Sequence, residues 1–167
     1  LVGSEMCIRD RVYQKSYRVR TGEGFLLNRN VPHSCSSPGN EHVRYSTILV
    51  RPDFLYGDFG SDVERKCFQP FLQNSAIPCI HLTGFDENGK EILQKLNQVE
   101  EAFDRKRFCY ELKIKGLLCE AFAMILYGHR QELTKFVPAN LQELERLEKM
   151  LNYLNMHFTE VISLQDL

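Results

Sequence analysis

The stretch GEGFLLNRNVPHSC, residues 22–35, limits the possible folds more than any other part of the chain. Gly22 and Gly24 flank Glu23 in a tight corner, where glycine supplies backbone angles that other residues resist. Phe25, Leu26 and Leu27 have the length of a short strand. Asn28, Arg29 and Asn30 read as a turn, and Val31, Pro32 and His33 open another strand. Proline is tolerated there because its missing N–H matters least at a strand start. The pattern is turn, strand, turn, strand. Side chains alternate along a strand, so His33 and Cys35 share one face and Ser34 takes the other.

The flanking sequence extends this β reading. Residues 12–20 suit a half-exposed strand, and 36–40 form a loop by composition. HVRYSTILV, residues 42–50, is rich in β-branched and aromatic residues and predicts a strand ended by Pro52. It would place Val43, Tyr45, Thr47 and Leu49 on one face and Arg44, Ser46 and Ile48 on the other. LVGSEMCIRDR, residues 1–11, has neither strand alternation nor a helical stripe, and lacks the apolar core of a signal peptide. It resembles translated sequencing-adapter sequence and is expected to lie outside the fold. A natural disordered tail is the alternative.

From Ser61 the period becomes helical. Ser61 and Glu64 have capping-box spacing, and Val63, Cys67, Phe68, Phe71 and Leu72 make an apolar stripe that Pro70 should kink or break. Residues 77–82 read as a short strand. Residues 91–103 predict an amphipathic helix, with Ile92, Leu93, Leu96, Val99 and Phe103 on one side. Residues 108–127 predict a longer helix ended by Gly128 as a left-handed cap. Its first half has a polar stripe through Lys113, Gly116 and Glu120; from Ala121 to Tyr127 it is apolar all round and must be covered from more than one direction. Burial within one subunit and a two-fold contact through Leu117, Ala121, Met124 and Ile125 both satisfy that demand. Residues 134–140, with Pro138, form a linker. Residues 141–158 carry a narrow leucine seam, and Ser163 to Asp166 has capping-box spacing again.

Two of these segments carry a family resemblance. The glycine corner, hydrophobic strand, asparagine turn and Pro32-His33 pair resemble the sensor domain of AraC-family bacterial transcription regulators, a cupin-like barrel. LEKMLNYLNMHFTEVISLQDL, residues 147–167, resembles the opening of that family's DNA-binding domain. There a long helix ends in an aromatic, here Phe158, an aliphatic link follows, here Val161 and Ile162, and a Ser-Leu-x-x-Leu run, here Ser163, Leu164 and Leu167, begins the next helix. The implied fold is α+β: a partial cupin-like (jelly-roll) β-barrel, then a helical dimerisation region and the start of a helix-turn-helix domain. The expected organisation is a sensor over 12–133, with barrel at 12–60 and mostly helix at 61–133, the linker, and a DNA-binding start at 141–167. The chain is expected to be a fragment cut at both ends.

The resemblance implies a cytoplasmic, ligand-responsive homodimer whose effector is a small molecule, a sugar among the candidates, and whose DNA contacts belong only to the full-length regulator. Residues on the plausible inner faces are Phe25, Leu27, His33, Cys35, Tyr45 and Thr47; the same side chains could equally fill an ordinary core. A cupin-fold metal-dependent enzyme, an isomerase or dioxygenase, is the competing class. It needs several histidines around one metal, whereas the five histidines here form no H-x-H or H-x-x-x-H pair. No catalytic residue, metal ligand or cofactor is therefore assigned. The net charge of −1 gives no basic footprint for nucleic acid, and no apolar run is long enough to cross a bilayer. The six cysteines contain no C-x-x-C and read as buried free thiols.

Overall fold

A computed structural model describes residues 8–12, 15–36 and 45–135, together with 146, 149–151, 153, 154, 156 and 157. Five strands and a helical region give an α+β chain. The strands are β1 (Ile8–Val12), β2 (Lys15–Val19), β3 (Gly24–Leu27), β4 (His33–Ser36) and β5 (Cys79–Leu82). The helices are α1 (Pro52–Tyr56), α2 (Gln69–Leu72), α3 (Glu87–Arg105), α4 (Tyr110–Gly128) and α5 (Arg130–Leu133).

The strands form two antiparallel sheets. One has the order β2-β1-β4 and the other pairs β3 with β5. Among the described residues neither sheet closes into a barrel. β1 is the central strand of the first sheet, with Val12 opposite Lys15 on one side and opposite His33 on the other. This corrects two expectations. Residues 8–11 are part of the fold, because backbone pairing on both sides supplies what their side-chain pattern lacks. The strand expected over 12–20 is instead the second arm of a hairpin, β2, preceded by the end of β1. A third correction concerns 45–50. This segment is irregular and exposed, with Leu49 96% accessible. β-branched composition describes fitness for a pleated surface, and among the described residues no strand pairs with this segment to provide one.

The opening corner forms as expected. The Glu23 N–H donates to the Arg20 carbonyl at 3.0 Å, and Gly22, third residue of that turn, has φ +81°. The next turn ends on Asn30 at φ +55°. β4 begins at His33 itself, so the histidine opens its strand. β3 does not pair with β4; its partner is β5, 52 residues further from Leu27 to Cys79 by register. Asn28 secures that long-range pairing. Its side-chain amide donates to the carbonyls of Phe71 at 2.7 Å and Ile77 at 3.2 Å, and its own N–H donates to the Pro78 carbonyl at 2.9 Å.

Ser61 and Glu64 form a modified capping box. The Glu64 N–H donates to Ser61 Oγ at 3.2 Å, and the Glu64 carboxylate accepts from the N–H of Gly60. Pro70 does not end the helix here. The turn Glu64–Phe68 is widened to a π turn, with the Gln69 N–H reaching the Glu64 carbonyl. The wider turn relieves the conflict between a proline ring and the preceding backbone. Val63 and Cys67 face solvent, while Phe68, Phe71 and Leu72 carry the core.

α3 starts at Asp86, whose carboxylate accepts from the Gly89 N–H at 2.6 Å. Gly89 has no room for a side chain: an added Cβ would lie 1.9 Å from the Thr83 carbonyl oxygen. α3 and α4 pack as an antiparallel hairpin through Ile92, Val99, Leu118, Ala121 and Ile125. Lys95 on α3 bridges to Glu120 on α4 at 2.6 Å. Phe103 lies outside this core, half exposed beside Lys106. Gly128 is the last residue of α4 and not a left-handed cap; the left-handed positions are Lys106 and Cys109 in the α3–α4 link. The described cysteines form no disulfide, but Cys35, Cys67 and Cys109 are exposed and Cys79 and Cys119 half-buried, against the expectation of buried thiols. Residues 136–145 and 158–167, which hold most of the linker and the second capping box, lie outside the described residues.

Asn28→Ala is expected to destabilise the chain by about 2 kcal/mol, because the buried Ile77 carbonyl loses its Asn28 donor and the Phe71 carbonyl is left with the Asn74 N–H. Urea denaturation at neutral pH measures this; a loss below the scatter of ordinary surface substitutions would show that the latch is dispensable.

Candidate functional site

The two faces of the β3–β5 pair differ in kind. Leu26, Ile80 and Leu82 point into the cluster formed with Phe71, Ile77, Ile92 and Ile125, so this face is covered by helices. Phe25 and Leu27 take the other face, opposite His81 and Cys79 in the register. There the Phe25 and His81 rings stack at 4.7 Å between centroids, and Tyr17 from β2 meets Phe25 edge-on at 5.1 Å. His81 Nε2–H donates to the Glu23 carboxylate at 3.1 Å. The Glu23 side chain is only 9% exposed, and the same oxygen accepts from the Arg20 N–H at 3.1 Å. The cluster thus joins an acid, an imidazole, a thiol and two aromatic rings drawn from β2, the glycine corner, β3 and β5.

The Tyr17 phenol is held above its ordinary value of 10.0, first by its hydrogen bond to Cys79, then by burial and by the neighbouring thiol's charge. It stays neutral throughout the physiological range.

The six residues expected on the inner faces divide. Phe25 and Leu27 stand on the wall just described. His33 and Cys35 are exposed on β4, with His33 Nδ1–H donating to the Val31 carbonyl at 3.0 Å. Tyr45 and Thr47 are exposed in the irregular segment. The sequence reading missed Tyr17, Glu23 and His81 as members of one cluster. A signal existed for part of it: Cys79 and His81 alternate with Ile80 and Leu82, which places them together on one strand face. Their partners in β3 could not be read, because the pairing spans the whole helical segment between them.

Of the residues considered for a two-fold contact, Ala121 and Ile125 are buried within the chain against α3, and Leu117 and Met124 are half-buried. Among the described residues, no three His, Cys, Asp or Glu side chains are grouped to hold a metal ion. No described helix is long and apolar enough to cross a membrane.

Residues 8–122 match the AraC-like ligand binding domain. The chain belongs to that family. The match begins with β1 and runs through the core of α4, so it contains both sheets and the whole cluster around Phe25. An uncharacterized HTH-type transcriptional regulator, YdeC of Bacillus subtilis (strain 168), is 21% identical over 158 residues, which are 94% of this chain and 52% of that protein. The chain therefore spans about half the length of this curated relative. No solved structure matches it.

Tyr17→Phe supplies a pH test with a defined sign. Below the ordinary phenol range both folded and unfolded chains keep the proton, and the contribution of Tyr17 is intact. As pH rises past 10.0 the unfolded chain ionises first, and stability is lost until the folded phenol also titrates. The wild-type chain is therefore expected to lose stability over this alkaline interval more steeply than Tyr17→Phe. Thermal melts between neutrality and the alkaline limit measure the difference; parallel curves would show that the phenol is unperturbed.

Proposed function

We propose that this chain is the effector-sensing part of a bacterial, ligand-responsive transcription regulator, with its two sheets forming the wall of a cupin-like barrel. The observation that carries the reading is the gathering of Tyr17, Glu23, Phe25, Leu27 and His81 on one side of β3–β5, inside the span that matches a ligand-binding family. A concave apolar wall with a few fixed polar groups is what recognition of a small effector requires. The regulatory role draws on the HTH-type regulator that the chain resembles, and assigns DNA reading to the part that residues 141–167 resemble at its start. The effector would act by shifting the balance between arrangements of the sensing and DNA-reading parts. The proposed setting is the cytoplasm, and no catalytic step is assigned.

The reading includes a homodimer. Its contact is proposed on the outward side of α4, where Leu112 and Tyr127 are exposed and Leu117 and Met124 keep part of their surface. Ala121 and Ile125 support it from beneath by fixing α4 on α3.

A small-molecule panel screened by thermal shift is expected to yield a compound that raises Tm in proportion to its concentration, by about 2.7 kcal/mol of added stability at a hundred times its Kd. The 167-residue chain itself is expected to show no sequence-selective DNA affinity at physiological salt by gel shift. Selective DNA binding by this chain, or silence of every compound class, would count against the sensing role. Sedimentation equilibrium tests the dimer: Leu112→Glu is expected to weaken association at least about tenfold by placing a charge in an apolar contact, and an unchanged dimer would move the contact elsewhere.

A further inference from the structure

The charge balance around Phe25 narrows the chemistry of the effector. Glu23 brings a carboxylate to a nearly enclosed position at one end of a row of rings, His81, Phe25 and Tyr17. Within this cluster the other titratable side chains are a phenol that stays protonated, the thiol of Cys79 and the imidazole of His81. No lysine or arginine side chain is paired with Glu23 among the described residues; its ion-pair partner there is His81. The wall thus sets a carboxylate beside two aromatic side chains, with the His81 imidazole as its described partner. An anionic effector would meet that charge without a compensating cation. A neutral polyol would leave it uncompensated. A cation would be attracted both by the carboxylate and by the negative faces of the rings.

Resting on the effector-site reading given above, we propose that the effector is an organic cation, an amine or quaternary ammonium compound, recognised by the Glu23 carboxylate together with the Phe25 and Tyr17 rings. Glu23 supplies the counter-charge, and His81 holds that carboxylate in place through its Nε2–H. Phe25 presents the apolar surface for the carbon skeleton. Leu27 extends the wall beyond the charged end, so the site favours a cation that carries hydrocarbon over a bare ammonium ion.

Matched compounds test this by thermal shift and calorimetry on the purified chain. Choline and phenethylamine are the cations, 3,3-dimethylbutanol and 2-phenylethanol their neutral counterparts, and 3-phenylpropionate the anion. At least one cation is expected to raise Tm, while its neutral counterpart and the anion do not. Glu23→Gln keeps the size of the side chain and removes its charge; it is expected to weaken cation binding by about tenfold or more. Phe25→Leu, chosen to spare the fold, is expected to weaken it roughly threefold. If neutral or anionic compounds bind as well as the cations, and Glu23→Gln changes nothing while Phe25→Leu still weakens them, the cation class is wrong and the site stands. If a bound compound is indifferent to both variants, the site reading itself fails. If neither cation binds, the inference is overturned.

Discussion

The side chain of Asn28 holds the two halves of this molecule together. It stands at the end of β3, directly before the turn that ends on Asn30, and reaches the backbone where the first helical segment gives way to β5. Both of its donor hydrogens are used on buried carbonyls, and its oxygen accepts from the Arg29 N–H at 2.8 Å. A buried amide is stable only when its hydrogen-bonding capacity is met, and here the carbonyls that take its two donor hydrogens lie more than forty residues away. The β3–β5 pairing, the course of the helical segment and the position of the α3–α4 hairpin all follow from that fixed point.

The consequence is a two-sided strand pair in which each side has a separate task. Ile80 and Leu82 tie β5 to α3 and α4, and the close approach of Gly89 to the Thr83 carbonyl leaves no slack where β5 passes into α3. On the other side the same strand offers His81 and Cys79 to Phe25, Glu23 and Tyr17. His81 and the start of α3 are therefore joined by a short, tightly packed connection.

Apart from Gly128, local signals in the sequence were accurate where a residue's own backbone decided the outcome. Gly22 and Asn30 turn the chain where expected, Ser61 and Glu64 cap a helix, and α3 and α4 appear close to the limits their apolar periods set. Errors arose where a partner decided. Residues 8–11 look patternless but sit between two strands. Residues 45–50 look like a strand but pair with none of the described strands. Pro70 was accommodated by a widened turn, and Phe103, in register with a buried stripe, projects past the end of the packed hairpin.

The same division separates what was legible in the candidate site from what was not. The sequence alone determined that Phe25 and Leu27 share a face, that Cys79 and His81 lie on a strand together, and that α4 needs cover on more than one side, because these are properties of period and turn chemistry within a few residues. It could not determine that β3 pairs with β5, that Glu23 meets His81, or that Tyr17 closes the aromatic row. The β3–β5 pairing and the Glu23–His81 contact join segments more than fifty residues apart, and Tyr17 meets Phe25 from a different sheet, so only the tertiary packing brings these groups together.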